Sequence, residues 1–297
     1  VDEDLQQELD DRLRDLVEHQ GFLNEISTDG GEKRFTWAHD KIHEAALMLT
    51  PEAERGHFQC RVGETIVEHL KHDEFDSVIF VVARLVSQYQ GNDQTKMIRY
   101  ADLQLQASQR ATRLAAFENA KGFASRGLSF LPHNKWESCT QLCRDLYTNL
   151  MQAERICGDI PNMERHCREF LEMQKNEPIW IRLGAYHNLF SGIFYADPKG
   201  RGSEAIEIGF TALRELGCVF PTSKANILLQ TLKCILVLKR IRKTLAESAG
   251  LLELPTMEGP RNKLEATKLL YAMIDVLYLA KDARMPLVIV RFIEITM

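Results

Sequence analysis

From Pro51 onward the sequence shows the 3.6-residue periodicity of amphipathic helices and no convincing strand. Turn residues divide this region into periodic segments. They predict helices over 51–70, 75–89, 93–113, 115–131, 134–158, 161–175, 178–196, 202–217, 223–246 and 262–282. A chain with this pattern is confined to mainly α architectures, in which helices bury their apolar faces against one another.

Three segments of the helical region share an outline that suggests an internal repeat: 117–132, 163–178 and 205–221. Each ends in a proline, and these prolines lie 46 and 43 residues apart, farther than the ~34 residues of a tetratricopeptide repeat. The pattern predicts an α-solenoid of degenerate tetratricopeptide-like helical hairpins, which bury their apolar faces by stacking. An irregular helical bundle has the same periodicity without a fixed spacing, and it stays open as the alternative.

The small residues of the first segment, 117–132, indicate which side of its helix faces the neighbouring helix. Ala120 and Ala124 lie among bulky side chains at helical spacing. We therefore expect both alanines to lie in close helix–helix contacts.

The first fifty residues have a different order of elements. A periodic segment with an acidic first turn is followed by two short runs around an Asp-Gly turn signal, and then by a second periodic segment. These patterns predict a helix over 2–20, a β-hairpin over 22–37 and a helix over 39–49. The order is the outline of a winged-helix module.

Pro51 suits the start of a new helix directly after this outline. We therefore divide the chain into the end of a winged helix, 1–50, and a helical-repeat arm, 51–297. The chain starts at Val1 and stops inside the apolar stretch 286–297, so we expect it to be a piece of a longer polypeptide, with its arm truncated at the C-terminus.

Four residues at the end of the winged helix are structural candidates for coupling it to the arm. Phe35 and Trp37 alternate in the second strand, so they are predicted to face the same side and anchor the wing on neighbouring helices. His39 and Asp40 occupy the strand-to-helix junction, where a helix start favours a cap and an anion.

The charge and cysteine content narrow the function classes. The chain has 37 Lys and Arg against 42 Asp and Glu, and residues 1–50 hold 13 acidic and 5 basic side chains, which argues against nucleic acid as a partner. The seven cysteines form no C-x-x-C pair and indicate small core hydrophobes in a reducing, cytoplasmic compartment. The longest apolar run is too short for a membrane span.

Few motifs in the sequence suggest chemistry. His39 and His43 imitate the H-E-x-x-H zinc motif, so a metal-dependent hydrolase is a further alternative. The second position is Asp, however, and no third ligand stands at a recognisable distance. The sequence contains no phosphate-binding G-x-x-x-x-G-K-[ST] motif and no G-x-S-x-G or kinase motif. We therefore expect no catalytic, cofactor-binding or metal-binding residue in this chain.

The basic segment 223–244 combines six Lys and Arg with many apolar residues and no acid. The apolar positions are numerous enough to cover most of the circumference of a helix. We expect this helix to be packed in the stack, with a basic edge towards solvent.

Residues 33–55, KRFTWAHDKIHEAALMLTPEAER, resemble the F-x-F-x-H-D-[RK]-[IV]-x-x-A-A-Y-x-L-[IL]-P-x-x-x-R stretch that follows the ATPase domain in STAND-class signalling proteins. In that class an AAA-like ATPase module is joined to histidine kinase, serine/threonine kinase or cyclase domains. Residues 98–115, 117–128 and 205–217 are similar to helical repeats of the family. The chain departs from the pattern at Leu47, where the family has an aromatic residue.

The resemblance implies a non-catalytic regulatory or scaffolding segment that couples a nucleotide switch to the sensing of a partner or ligand. ATP is then expected in a domain before Val1, and the output domain beyond Met297. The implied partners are other proteins or domains of the same polypeptide. The equivalent arm of an ATP-dependent transcriptional regulator is the alternative, and a basic helix-turn-helix after residue 297 would favour it.

Overall fold

The computed structural model describes residues 3–27, 33–69, 72–247 and 260–296. It is mainly helical, with a small two-stranded antiparallel sheet, which confirms the predicted fold class at that level. The chain forms two compact units, Val1–Leu103 and Gln104–Met297, and the boundary between them falls inside one helix.

The first unit follows the predicted order of helix, hairpin and helix, and then adds further helices. Its elements are α1 Glu3–Glu18, β1 Leu23–Ser27, β2 Lys33–Trp37, α2 Asp40–Met48, α3 Glu52–His69, α4 His72–Val86 and α5 Gln94–Arg113, which continues into the second unit. The expected division at residue 50 therefore lies between α2 and α3, within this unit. The Asp-Gly turn predicted between the two strands, at 28–32, lies outside the described residues.

The core of the first unit lies between α3 and α4. Val82, Ala83 and Val86 of α4 are fully buried, and Cys60 of α3 lies beside the Val86 backbone. A Cβ on Gly63 would lie 3.0 Å from Val86 Cγ1, so this glycine allows the two helices to approach closely.

The second unit consists of helices that pack mainly against their neighbours in sequence. They are α6 Phe117–Phe130, α7 Lys135–Ser138, α8 Thr140–Cys157, α9 Ile160–Met173, α10 Ile179–Ala196, α11 Gly202–Glu215, α12 Lys224–Glu247, α13 Arg261–Ala280 and α14 Met285–Thr296. Helix α10 contacts α8, α9, α11 and α13, and it is apolar on nearly all sides, as a centrally placed helix must be.

Three helices of the second unit have the same length and a nearly constant spacing. Helices α6, α9 and α11 have 14 residues each and begin at residues 117, 160 and 202, so the successive starts are 43 and 42 residues apart. The fourth, eighth and eleventh positions are buried in all three: Ala120, Ala124 and Gly127; Met163, Cys167 and Phe170; Ala205, Gly209 and Ala212. Ala120 and Ala124, which we expect in close helix–helix contacts, have no exposed surface, and their helix packs against α8.

The structure corrects the sequence prediction at two places in the helical region: one predicted helix is broken, and one helix was not predicted. The segment 134–158 is broken at Cys139, whose backbone angles of −132° and 40° are not helical, so α7 and α8 are separate. The apolar stretch 286–297 contains α14, which the sequence pattern did not predict. Its many β-branched residues disfavour a helix intrinsically, but burial of Leu287 and Val288 overrides that preference.

The expected burial of most of the basic helix, α12, is wrong. One side of α12 packs against α14, and the other side exposes a row of apolar side chains. Between 42% and 67% of the surface is exposed in each of Leu228, Leu229, Leu232, Ile235, Leu236 and Leu238. Helical periodicity reports that a face is apolar, but it does not identify the element that covers it.

Candidate functional site

The four coupling candidates of the sequence lie around the hairpin. Leu23 pairs with Trp37 and Glu25 with Phe35, so Phe35 and Trp37 lie on one face of the two-stranded sheet as predicted. Phe35 is half-buried, whereas Trp37 stays 43% exposed and stacks on His43 of α2, with ring centroids 5.4 Å apart. The Trp37–His43 stack connects β2 to α2, the helix that follows it.

His39 caps α2. Its Nδ1 atom accepts a hydrogen bond of 3.0 Å from the Lys41 backbone N–H, and Asp40 stands in the first turn as an anion at the positive end of the helix. His39 and His43 thus have separate structural contacts, a cap and an aromatic stack. Within the part of the chain that the structure describes, no group of three or more His, Cys, Asp or Glu side chains is placed to hold a metal ion.

The junction after α2 is short and hydrogen-bonded. Only Leu49, Thr50 and Pro51 separate α2 from α3, and the Arg55 side chain donates from Nε to the Thr50 carbonyl at 3.0 Å. The Glu54 backbone N–H also donates to the Pro51 carbonyl, at 2.8 Å. The Arg55 bond ties the first turn of α3 to the connection that precedes it.

The second unit contains a cleft of about 650 Å³ between α8, α10 and α13. Its polar lining includes Arg155, His187 and Asn188, and the apolar lining includes Leu183 and Leu269. Apolar surface predominates in the cleft, but polar and charged side chains make up much of its lining. A concave site that combines apolar surface with polar groups can hold a small organic ligand.

Arg155 reaches the cleft from the last turn of α8, just before the left-handed Gly158 that ends this helix. The position suits a cation because the carbonyl end of a helix carries a partial negative charge. Its stem passes close to α10, where a Cβ on Gly192 would lie 3.5 Å from Arg155 Cγ. That distance is an ordinary contact, and the glycine is required instead by Met163 of α9, whose Cε would lie 2.5 Å from the same Cβ.

The Arg155 guanidinium is held by an amide instead of a carboxylate. Its Nε donates to Asn188 Oδ1 at 2.8 Å, and Asn188 Nδ2 donates in turn to the Gly184 carbonyl at 2.9 Å. Burial lowers the pKa of Arg155 below its ordinary value, although the group remains charged at neutral pH. The charge is partly removed from water, and no carboxylate of the described residues pairs with it.

His187 is the second titratable group on this wall. Burial, with a smaller contribution from the positive charge of Arg155, lowers its pKa below the ordinary value of 6.5, so the imidazole is neutral at pH 7. Its ring makes an edge contact with Phe190, at 5.4 Å between centroids. The neutral ring offers a hydrogen-bonding nitrogen without adding charge.

The α13 wall carries the acidic groups of the cleft. Glu265 is paired with Lys268 at 3.0 Å, and Asp275 is exposed. Neither carboxylate lies within 4.0 Å of the Arg155 guanidinium nitrogens, and among the described residues the Arg155 side chain hydrogen-bonds to Asn188 alone. No sequence pattern predicts this site, because Arg155 and Asn188 are 33 residues apart and belong to no motif.

Comparisons with protein-family models, with curated proteins and with solved structures give no match. In the helices that the structure describes, none combines the length and apolar character needed to cross a membrane.

Proposed function

We propose that this chain is a non-catalytic regulatory segment of a larger ATP-dependent signalling protein of the STAND class. In this proposal the first unit carries the end of a winged helix, and the helices that follow are degenerate tetratricopeptide-like repeats of a sensing arm. ATP belongs to a preceding domain of the parent polypeptide, and the compartment is the cytoplasm.

The observation that carries the proposal is the common burial register of α6, α9 and α11. Equal lengths, successive starts 43 and 42 residues apart, and burial of the same three positions are what repeats produce when each one packs on its neighbours. Small side chains or glycine occupy most of these positions, and this allows close approach of the adjacent helices. Stacked repeats present extended surfaces on which partners bind.

The apolar row on α12 supports a role in binding. Leu232 and Leu236 are more than half exposed, and Lys233, Lys239 and Arg240 lie on the same helix. An apolar row beside basic side chains is suited to an amphipathic segment of acidic character, either from another protein or from another domain of the parent polypeptide.

The junction at Thr50 and Pro51 supports the coupling part of the proposal. The bond from Arg55 to the Thr50 carbonyl and the three-residue connection leave little slack between α2 and α3. A short, hydrogen-bonded connection transmits a rotation of α2 to α3, whereas a Gly/Ser linker absorbs it. Movement of the winged helix with nucleotide state would therefore reach α3.

The test inserts a flexible Gly-Ser segment between Thr50 and Pro51 of the full-length parent polypeptide and measures nucleotide-dependent output. We expect the insertion to abolish the difference between nucleotide states. The matched control places the same insertion between Gly91 and Asn92, in the loop that precedes α5, and there Asp93 keeps its capping bond to the Thr95 N–H. Regulation that survives the first insertion intact would refute coupling through this junction.

A further inference from the structure

Arg155 is a half-buried cation whose charge no described side chain neutralises. An arginine has five N–H donors, and the hydrogen bond to Asn188 uses only the one on Nε. Among the described residues, no atom accepts a hydrogen bond from Nη1 or Nη2 of Arg155, and no carboxylate pairs with it. Neither Nη1 nor Nη2 of Arg155 is among the described side-chain atoms that are buried without a partner, so both reach solvent and are accessible to an anion that enters the cleft.

The guanidinium is also held in a fixed orientation. Asn188 is 5% exposed, and its amide is fixed at both ends, by Arg155 Nε at 2.8 Å and by the Gly184 carbonyl at 2.9 Å. A guanidinium fixed in this way presents its remaining donors as a planar fork. Carboxylate and phosphate oxygens match that fork in two parallel hydrogen bonds.

The remainder of the cleft favours an organic body on the anion. Leu183, Leu269 and Val276 line the cleft, but they are almost completely buried and form its apolar floor, with little surface of their own to offer a ligand. Tyr195 and Tyr271 also line the cleft and are 55% and 66% exposed, which leaves aromatic surface available for stacking. The volume of about 650 Å³ lies within the range of small-molecule sites.

We propose that this cleft binds a small organic oxyanion, a carboxylate or phosphate on an apolar or aromatic body, with Arg155 as the residue that recognises the anionic group. The inference does not rest on the proposed function. It concerns only the second unit and holds whether or not the parent protein is a signalling ATPase.

The experiment titrates the 1–297 chain with benzoate and with phenyl phosphate, and follows backbone amide shifts of cleft residues by NMR. Benzamide, which is neutral and nearly the same shape as benzoate, is the matched control ligand. At ~10 mM of probe, a site with a Kd of ~1 mM is about nine-tenths occupied. We expect saturable shifts with at least one oxyanion and none with benzamide. A preference between the two oxyanions identifies the head group.

Variants then assign the binding to Arg155. Arg155→Gln removes the charge and is expected to weaken binding at least tenfold, whereas Lys199→Gln removes an exposed cation elsewhere and is expected to leave it unchanged. A second pair covers the case in which Arg155→Gln does not fold. Gly184 is exposed, lines the cleft, and has no atom within 4 Å of an added Cβ. Gly184→Glu places a competing carboxylate there, and Gly184→Gln has the same shape without the charge.

We expect Gly184→Glu to bind the oxyanion at least fivefold more weakly than Gly184→Gln. Three results would overturn the proposal: no saturable shift with either oxyanion, binding of benzamide as tight as that of the better-bound oxyanion, or equal binding of that oxyanion by the two Gly184 variants. The first result would leave the junction experiment on the parent polypeptide unaffected, so failure of the two proposals is distinguishable.

Discussion

Gly209 tests whether α11 and α13 approach as closely as the structure places them. A Cβ at this buried position would overlap Met273 Sδ on α13 and lie 2.8 Å from Met273 Cε. Non-bonded carbon atoms are normally ~3.5–4.0 Å apart. Met273 has no exposed surface, so its side chain cannot turn into solvent to make room. Gly209→Ala therefore forces a displacement inside the packed core.

Two opposing terms set the expected magnitude. Overpacking of a core costs about 1–3 kcal/mol, and replacing glycine by alanine inside a helix gains about 1 kcal/mol. We expect Gly209→Ala to lower the free energy of unfolding by about 1 kcal/mol. The matched control is Gly122→Ala in α6, an exposed helical glycine with no atom within 4 Å of an added Cβ, which should gain about 1 kcal/mol.

Urea unfolding, monitored by circular dichroism, gives the free energies for both variants. A second background isolates the contact: Met273→Ala alone should cost about 2–5 kcal/mol, but it removes the atoms that the new methyl group overlaps. In that background Gly209→Ala should become stabilising by about 1 kcal/mol. Stabilisation of the wild-type chain by Gly209→Ala, equal to that by Gly122→Ala, would show that the two helices are not in close contact.

Four further predictions concern other parts of the chain. Ala124→Leu introduces extra methylenes at a position with no exposed surface and should cost about 1–3 kcal/mol; an unchanged melting temperature would place Ala124 outside the helix interface. Hydrogen bonds, foremost from Arg201, lower the pKa of Glu164 from 4.5 to about 2, so its contribution to stability is complete above pH 4.5 and is lost as the pH falls towards 2. Glu164→Gln should flatten the acid limb of a stability–pH curve over that window, and an unchanged limb would contradict the pairing. His39→Ala removes the cap of α2 and should cost about 1 kcal/mol of local helix stability, measured as faster amide exchange in α2. Calorimetry on the wild-type chain should detect no binding of zinc. Stoichiometric zinc binding that is lost in His43→Ala would contradict this last prediction.

The sequence by itself determined the local structure of this protein. The spacing of apolar residues predicts nearly every helix, because the residues on the buried face of a helix recur every three or four positions. The Asp-Gly turn signal between two short runs gave the hairpin, and the alternation of Phe35 and Trp37 placed both on one face. His39 was recognised as a candidate for the start of α2, where its ring accepts the capping hydrogen bond.

Only the tertiary structure decided which faces are covered and which side chains meet. The apolar row of α12 has the same sequence pattern as a buried face, yet much of it is exposed. The prediction was wrong because periodicity does not show which element, if any, covers an apolar face. Helix α14 forms from residues with low helix propensity because burial contributes more than propensity does. The cleft depends on contacts between α8 and α10, where Arg155 meets Asn188 across 33 residues of sequence. Whether a charged side chain meets an opposite charge depends on which helices pack together, and a sequence pattern does not predict that.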